Sequence, residues 1–109
     1  MSGFIVSKEV NSMLTSKQRA YLRSLANSID PIFQVGKGGV TPDLTQAIDD
    51  ALEKRELIKI NVLNNCMMSP REVCDILHER THSEPVQVIG KKIVLYRPSK
   101  EKPSIELPK

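Results

Sequence analysis

A chain of 109 residues, 39% of them hydrophobic and 27% charged, has the size and composition of one ordinary globular domain. Its longest apolar runs, such as Ile93–Tyr96, reach four residues, far short of a membrane-spanning helix, and its two cysteines cannot build a disulfide framework. The formal net charge of +3 is mild, so the placement of the charges carries more information than their sum.

Met1–Ser12 shows no sustained periodicity and reads as an N-terminal extension, expected to be disordered. Phe4–Val6 is too short for a signal-peptide core and lacks a preceding basic stretch. Thr15 or Ser16 can cap a first helix to about Asn27, with Leu22, Leu25, Ala26 and Ile29 as its buried stripe. Asp30-Pro31 ends that helix, because the residue before a proline is pushed out of the α region. Ile32–Val35 reads as a short strand ended by Gly36-Lys37-Gly38-Gly39.

Thr41-Pro42-Asp43 starts a second helix, with Leu44, Ala47, Ile48, Ala51 and Leu52 as its apolar face. Ile58, Ile60 and Val62 alternate with Lys59 and Asn61 as in a half-buried strand. Ser69-Pro70-Arg71-Glu72 is a capping box that opens a third helix to about Arg80, with Val73, Ile76 and Leu77 inward. Val86–Ile89 and Lys92–Tyr96 flank Gly90-Lys91, which suits a two-residue hairpin. Three prolines after Arg97 describe an extended Pro/Lys-rich tail over residues 98–109. The order α-β-α-β-α-β-β predicts a compact two-layer α/β domain, a four-stranded sheet with three helices mainly on one face.

The charges alternate in blocks. Lys17, Arg19, Arg23 and Lys37 face only Asp30 in the first part, whereas Asp43, Asp49, Asp50, Glu53 and Glu56 outweigh Lys54 and Arg55 in the middle. From Lys91 onward the chain is basic again. Basic ends around an acidic middle can present one basic face, the footprint of a nucleic-acid binder, although an ordinary solvated surface has the same composition. Arg19 and Arg23 lie four residues apart on one helix edge with no acid between Leu14 and Asn27.

Glycines between a strand and a helix let the backbone take positive φ and approach a ligand closely. With Lys37 at the tip and the following helix's first-turn N–H groups aimed at the same space, Gly36–Gly39 reads as a small anion site suited to a phosphodiester. A nucleotide-binding P-loop would need Gly-Lys-Thr after the glycines, and Thr41-Pro42-Asp43 stands there instead. Cys74, His78 and His82 share a helical face with Cys66 upstream, but their spacing matches no zinc framework, and Cys74 is expected in the core. Phe33 and Tyr96 are likewise expected in the core rather than stacked on bases, and Lys59 and Asn61 on a solvated face.

Leu14-Thr15-Ser16-Lys17-Gln18-Arg19, Tyr21-Leu22-Arg23 and the run Asp30–Val40 together resemble the CRM (chloroplast RNA splicing and ribosome maturation) domain. The likeness continues through Ala47–Leu52, Glu56–Lys59, Asn65-Cys66 and Val86–Gly90, so residues 13–97 resemble the free-standing bacterial, YhbY-like type. The resemblance implies a fold similar to the C-terminal domain of translation initiation factor three. It further implies RNA binding, association with large-subunit precursors of the ribosome, and no catalytic residues.

On that basis the expected RNA-binding residues are Lys17, Arg19, Arg23, Gly36, Lys37, Gly38 and Gly39, with Lys91 and Lys92 extending the basic surface. No metal, cofactor, membrane or small-molecule substrate is expected, and the chain is read as a cytoplasmic monomer that binds ribosomal RNA. The alternative is a protein-interaction adaptor that docks a basic partner through Asp49, Asp50 and Glu53 of the acidic second helix.

Overall fold

Each helix begins where a side chain caps it. The Thr15 hydroxyl accepts from the Gln18 N–H at 3.1 Å while the Gln18 side chain accepts from the Thr15 N–H at 3.0 Å. Ser69 and Glu72 repeat the exchange at 3.1 and 2.8 Å, and Thr41 accepts from the Leu44 N–H at 3.1 Å. Pro42 and Pro70 occupy first helical positions, where their missing N–H is harmless. The computed structural model describes residues 14–108, and the expectation for Met1–Ser12 lies outside them. In chain order the elements are α1 (Ser16–Ala26), β1 (Phe33–Val35), α2 (Pro42–Arg55), β2 (Leu57–Val62), α3 (Pro70–Thr81), β3 (Glu84–Ile89) and β4 (Lys92–Tyr96), the order expected.

The four strands form one mixed sheet in the order β1-β2-β4-β3. β1 runs parallel to β2 with Phe33 opposite Ile60, and β4 lies antiparallel to both β2 and β3. Gly90, at φ +57°, makes the tight turn between β3 and β4. β3 is an edge strand that carries Pro85 and a register shift between Pro85 and Gln87, both tolerated at an edge.

Two apolar clusters sit on opposite faces of this sheet. Ile48 and Leu52 of α2 and Val73, Cys74 and Leu77 of α3 pack on Val35, Ile58, Ile60, Val62, Ile93 and Leu95. Leu22 and Ala26 of α1, with Leu14, pack instead on Leu57, Val86, Val94 and Tyr96. Two of the three helices thus share a face, as expected, while α1 gives the sheet a second helical layer. The cause lies in β4, whose run Ile93-Val94-Leu95-Tyr96 is buried on both sides. β2 follows suit: Leu57 is buried on the α1 face, and Lys59 and Asn61 on that face are half-buried rather than freely solvated.

The segment after β4 is extended but docked. Arg97 is only 7% exposed; its guanidinium reaches the Asp49 carboxylate, the Asp49 carbonyl at 3.1 Å and the Thr81 carbonyl at 2.8 Å. Glu53 accepts from the Ser99 hydroxyl at 2.6 Å and the Lys100 N–H at 3.1 Å, which hold its carboxyl below the ordinary range. Glu56 takes the largest share. Its buried carboxylate accepts from the N–H groups of Ser99, Ser104 and Ile105 at 2.7–2.9 Å and from the Ser104 hydroxyl at 2.8 Å. Ile105 and Leu107 then pack against the α1 cluster.

Burial alone would raise the Glu56 pKa, but these donors outweigh it and leave the carboxyl below its ordinary value. Because the folded pKa is depressed, this contribution is complete above the unfolded value of about 4.3 and disappears as pH falls through the folded one. Thermal melts should therefore show wild type losing its advantage over Glu56→Gln below about pH 4.5. Above that pH the variant should melt lower, and the Ser104 and Ile105 amides should lose protection from hydrogen exchange.

Candidate nucleic-acid interface

The sequence expects one anion site at the glycine loop, backed by the start of α2. The loop itself is well formed: the Gly39 N–H donates to the Gly36 carbonyl at 3.0 Å, closing a turn with Lys37 and Gly38 exposed at its tip. The start of α2 is otherwise. Pro42 has no N–H, the Leu44 N–H goes to Thr41 Oγ1, the Thr45 N–H goes to the Thr41 carbonyl, and Asp43 adds negative charge. Any anion at this loop would be held by Lys37 and the turn backbone, with little help from the helix end.

The glycines differ in what they require. Gly39 has φ +67°, a conformation that side chains resist, whereas Gly38 has an ordinary backbone and open space where a Cβ would stand. At Gly36 an added Cβ would lie 3.2 Å from the Asn65 side-chain oxygen, so the segment after β2 supports the loop closely.

The structure divides the expected basic residues into two groups. The Leu63 N–H donates to the Val35 carbonyl at 2.8 Å and the Val62 N–H to the Lys91 carbonyl at 2.8 Å. These bonds place the glycine loop and the Gly90-Lys91 turn at the same end of the sheet. Lys91 is exposed there, while Lys92 is half-buried and donates from Nζ to the Asn61 side chain at 3.1 Å.

Lys17 and Arg23 are exposed on α1, and half-buried Arg19 lines a shallow cleft with Arg71 and Pro85–Val88 along β3. β3 and β1 are the two outermost strands, about 14 Å apart at the usual strand spacing, so Arg19 and Lys37 do not form one pocket. Between them the α1 face of the sheet carries Lys59, Asn61 and Lys92. Arg71 is a cation that the sequence reading missed; only the packing of α3 against β3 brings it toward Arg19.

Part of the acidic helix is already engaged within the domain. Asp49 and Glu53 engage Arg97 and the tail, so of the three acids named for an adaptor role only Asp50 remains exposed, accepting from Gln46 at 3.0 Å. Arg97 is correspondingly unavailable to a ligand. Cys74 is buried in the core, and this burial, with the neighbouring Asp75 charge, pushes its thiol up to about 11. Tyr96 is buried and Phe33 packs against the core, both as expected. Among the described residues no group of three or more His, Cys, Asp or Glu could hold a metal, and no helix is long and apolar enough to cross a membrane.

The chain is a small α/β domain, a mixed sheet clothed by helices on both faces, with a glycine turn at the end of its parallel edge strand. A sequence model of the CRS1 / YhbY (CRM) domain matches residues 14–97, and the chain belongs to that family. It is 52% identical over 96 residues to the Bacillus subtilis protein named "Probable RNA-binding protein YqeI", covering 88% of this chain and 100% of that one. A Haemophilus influenzae protein named RNA-binding protein is 34% identical, covering 88% of this chain and 96% of its own length. The solution structure of Staphylococcus aureus SAV1595, a candidate RNA-binding protein, matches with a TM-score of 0.74 at 58% identity, covering 88% and 100% of the two chains.

The two adjacent glycines of the turn, Gly38 and Gly39, separate stability from ligand approach. Gly38→Ala should leave the melting temperature within experimental error, whereas Gly39→Ala should cost about 1–2 kcal/mol in chemical denaturation. Equal losses at both positions would contradict the backbone geometry.

Proposed function

We propose that this chain is an RNA-binding protein without catalytic activity that assists assembly of the large ribosomal subunit in the cytoplasm. Its target is ribosomal RNA in large-subunit precursors, which it binds as a monomer. The observation that carries the reading is the 52% identity, over the full length of the relative, to a protein named for RNA binding. The basic elements supply a mechanism: Lys37 and the Gly36–Gly39 backbone meet phosphates at one end of the sheet, extended by Lys91 and Lys92. Lys17, Arg19 and Arg23 meet them along α1. Contacts of this kind fix position on a structured RNA and read its shape more than its bases. The adaptor alternative draws no support from the structure, since Asp49 and Glu53 already serve Arg97 and the tail.

Replacing Lys17, Arg19, Arg23 or Lys37 by Ala should weaken binding to many RNA sequences alike. The log–log salt slope should fall by about 0.7 per lost contact on single strands and about 0.9 on a duplex. Asp50→Ala is the control, because Asp49 is needed to neutralise Arg97. Sucrose-gradient sedimentation tests the cellular role: the protein should migrate with large-subunit precursors. Recovery only in the soluble fractions, even when assembly is slowed, would overturn it.

A further inference from the structure

A sizeable cavity lies away from the glycine loop, on the α1 face of the sheet. It measures about 650 Å³ and opens between the end of α1, the segment leading into β1, and the start of β2. Leu25, Ile29, Ile32, Leu57 and Ile105 give it aliphatic walls, and Arg55 and Lys59 stand among its lining residues against the single acid Asp30. Ile32 is 41% exposed, a large apolar side chain left open on the cavity wall, and its N–H donates to the Lys59 carbonyl at 3.0 Å. A mostly apolar hollow of this size with a few charged groups has the character of a ligand site.

Its position narrows the ligand. Lys59 belongs to the same face of β2 as Asn61, and Asn61 is opposite Lys92 in the sheet. Asn61 lies two residues, about 7 Å, further along the strand, toward the end that carries the glycine loop and Lys91. A single strand of RNA held at the loop can therefore run back over this face with its phosphates near Lys92 and Lys59. The cavity then lies where a base can leave the stack. Walls of leucine and isoleucine cover a planar ring by dispersion and water exclusion, which requires no aromatic partner.

Resting on the RNA-binding reading above, we propose that this cavity receives one unstacked nucleobase of the bound RNA, with Arg55 and Lys59 meeting the flanking phosphates. The docked tail completes the site, because Ile105 supplies one of its walls.

The test uses the full chain and single-stranded RNA decamers of mixed sequence, each with one 4-thiouridine at a different position. Photocrosslinking should join the RNA to peptides containing Ser28–Ile32 or Arg55–Lys59. Ile32→Trp, which fills the cavity from an exposed position, should weaken binding about tenfold, the order expected for one lost base contact, with the salt slope unchanged. Ser28→Trp repeats the test should the first variant fail to fold. Arg55→Ala should lower the slope by about 0.7.

Wild-type affinity in a folded tryptophan variant, with crosslinks confined to the glycine loop and α1, would overturn the base site while sparing the RNA-binding reading. Failure of wild type to bind any decamer or structured ribosomal RNA would overturn both. Concentration-dependent perturbation of the cavity residues without RNA would assign the cavity to a second copy of the chain instead, and overturn the proposal.

Discussion

Successive residues of a strand point to opposite faces, so four consecutive apolar residues in a strand demand cover on both sides. β4 imposes that demand at the centre of the sheet. Ile93 and Leu95 are closed off by α2 and α3, Val94 and Tyr96 by α1 and the docked tail. Once β4 is sealed on both faces, the rest has little freedom. The chain before β1 must lie on the opposite side from the two later helices, and the segment after Arg97 must return to the α1 side to finish the cover. What remains uncovered is the strand ends and the strip of sheet beside α1.

The charge blocks of the sequence acquire their meaning from the same packing. Acids of α2 lie where they neutralise one buried arginine and bind the free N–H groups of the tail. Those carboxylates are therefore partly satisfied within the domain, while Lys17, Arg23, Lys37 and Lys91 stand exposed on α1, the glycine loop and the hairpin turn.

Local features were legible in the sequence and non-local ones were not. Thr15, Thr41 and Ser69 announce their helices because capping acts within three residues, and Gly90-Lys91 announces its turn for the same reason. The double cover of β4 was also written in Ile93–Tyr96, but the run reads equally as a short strand beside a single helical layer until α1 is placed. The tail could not be read, because Glu56 finds its donors 43–49 residues away. The division between Gly38 and Gly39 was hidden too: both are glycine, and only the backbone shows which one needs to be. The expected helix-end anion site failed on detail, since Thr41 and Pro42, read correctly as helix starters, are the residues that consume or remove its donors.

Glu56 ends α2 at φ +68°, where a side chain is strained and glycine would sit at ease, yet its carboxylate gathers the tail. The position is therefore pulled in two directions. A glycine there would relax the helix end but give up the bonds to Ser99, Ser104 and Ile105, whereas a glutamate keeps both the strain and those bonds. In a shortened chain that stopped at β4 the argument for glutamate would vanish, and substitution toward glycine would carry no penalty. The identity of this one residue thus trades backbone strain at the helix end for a carboxylate that makes the C-terminal segment part of the domain.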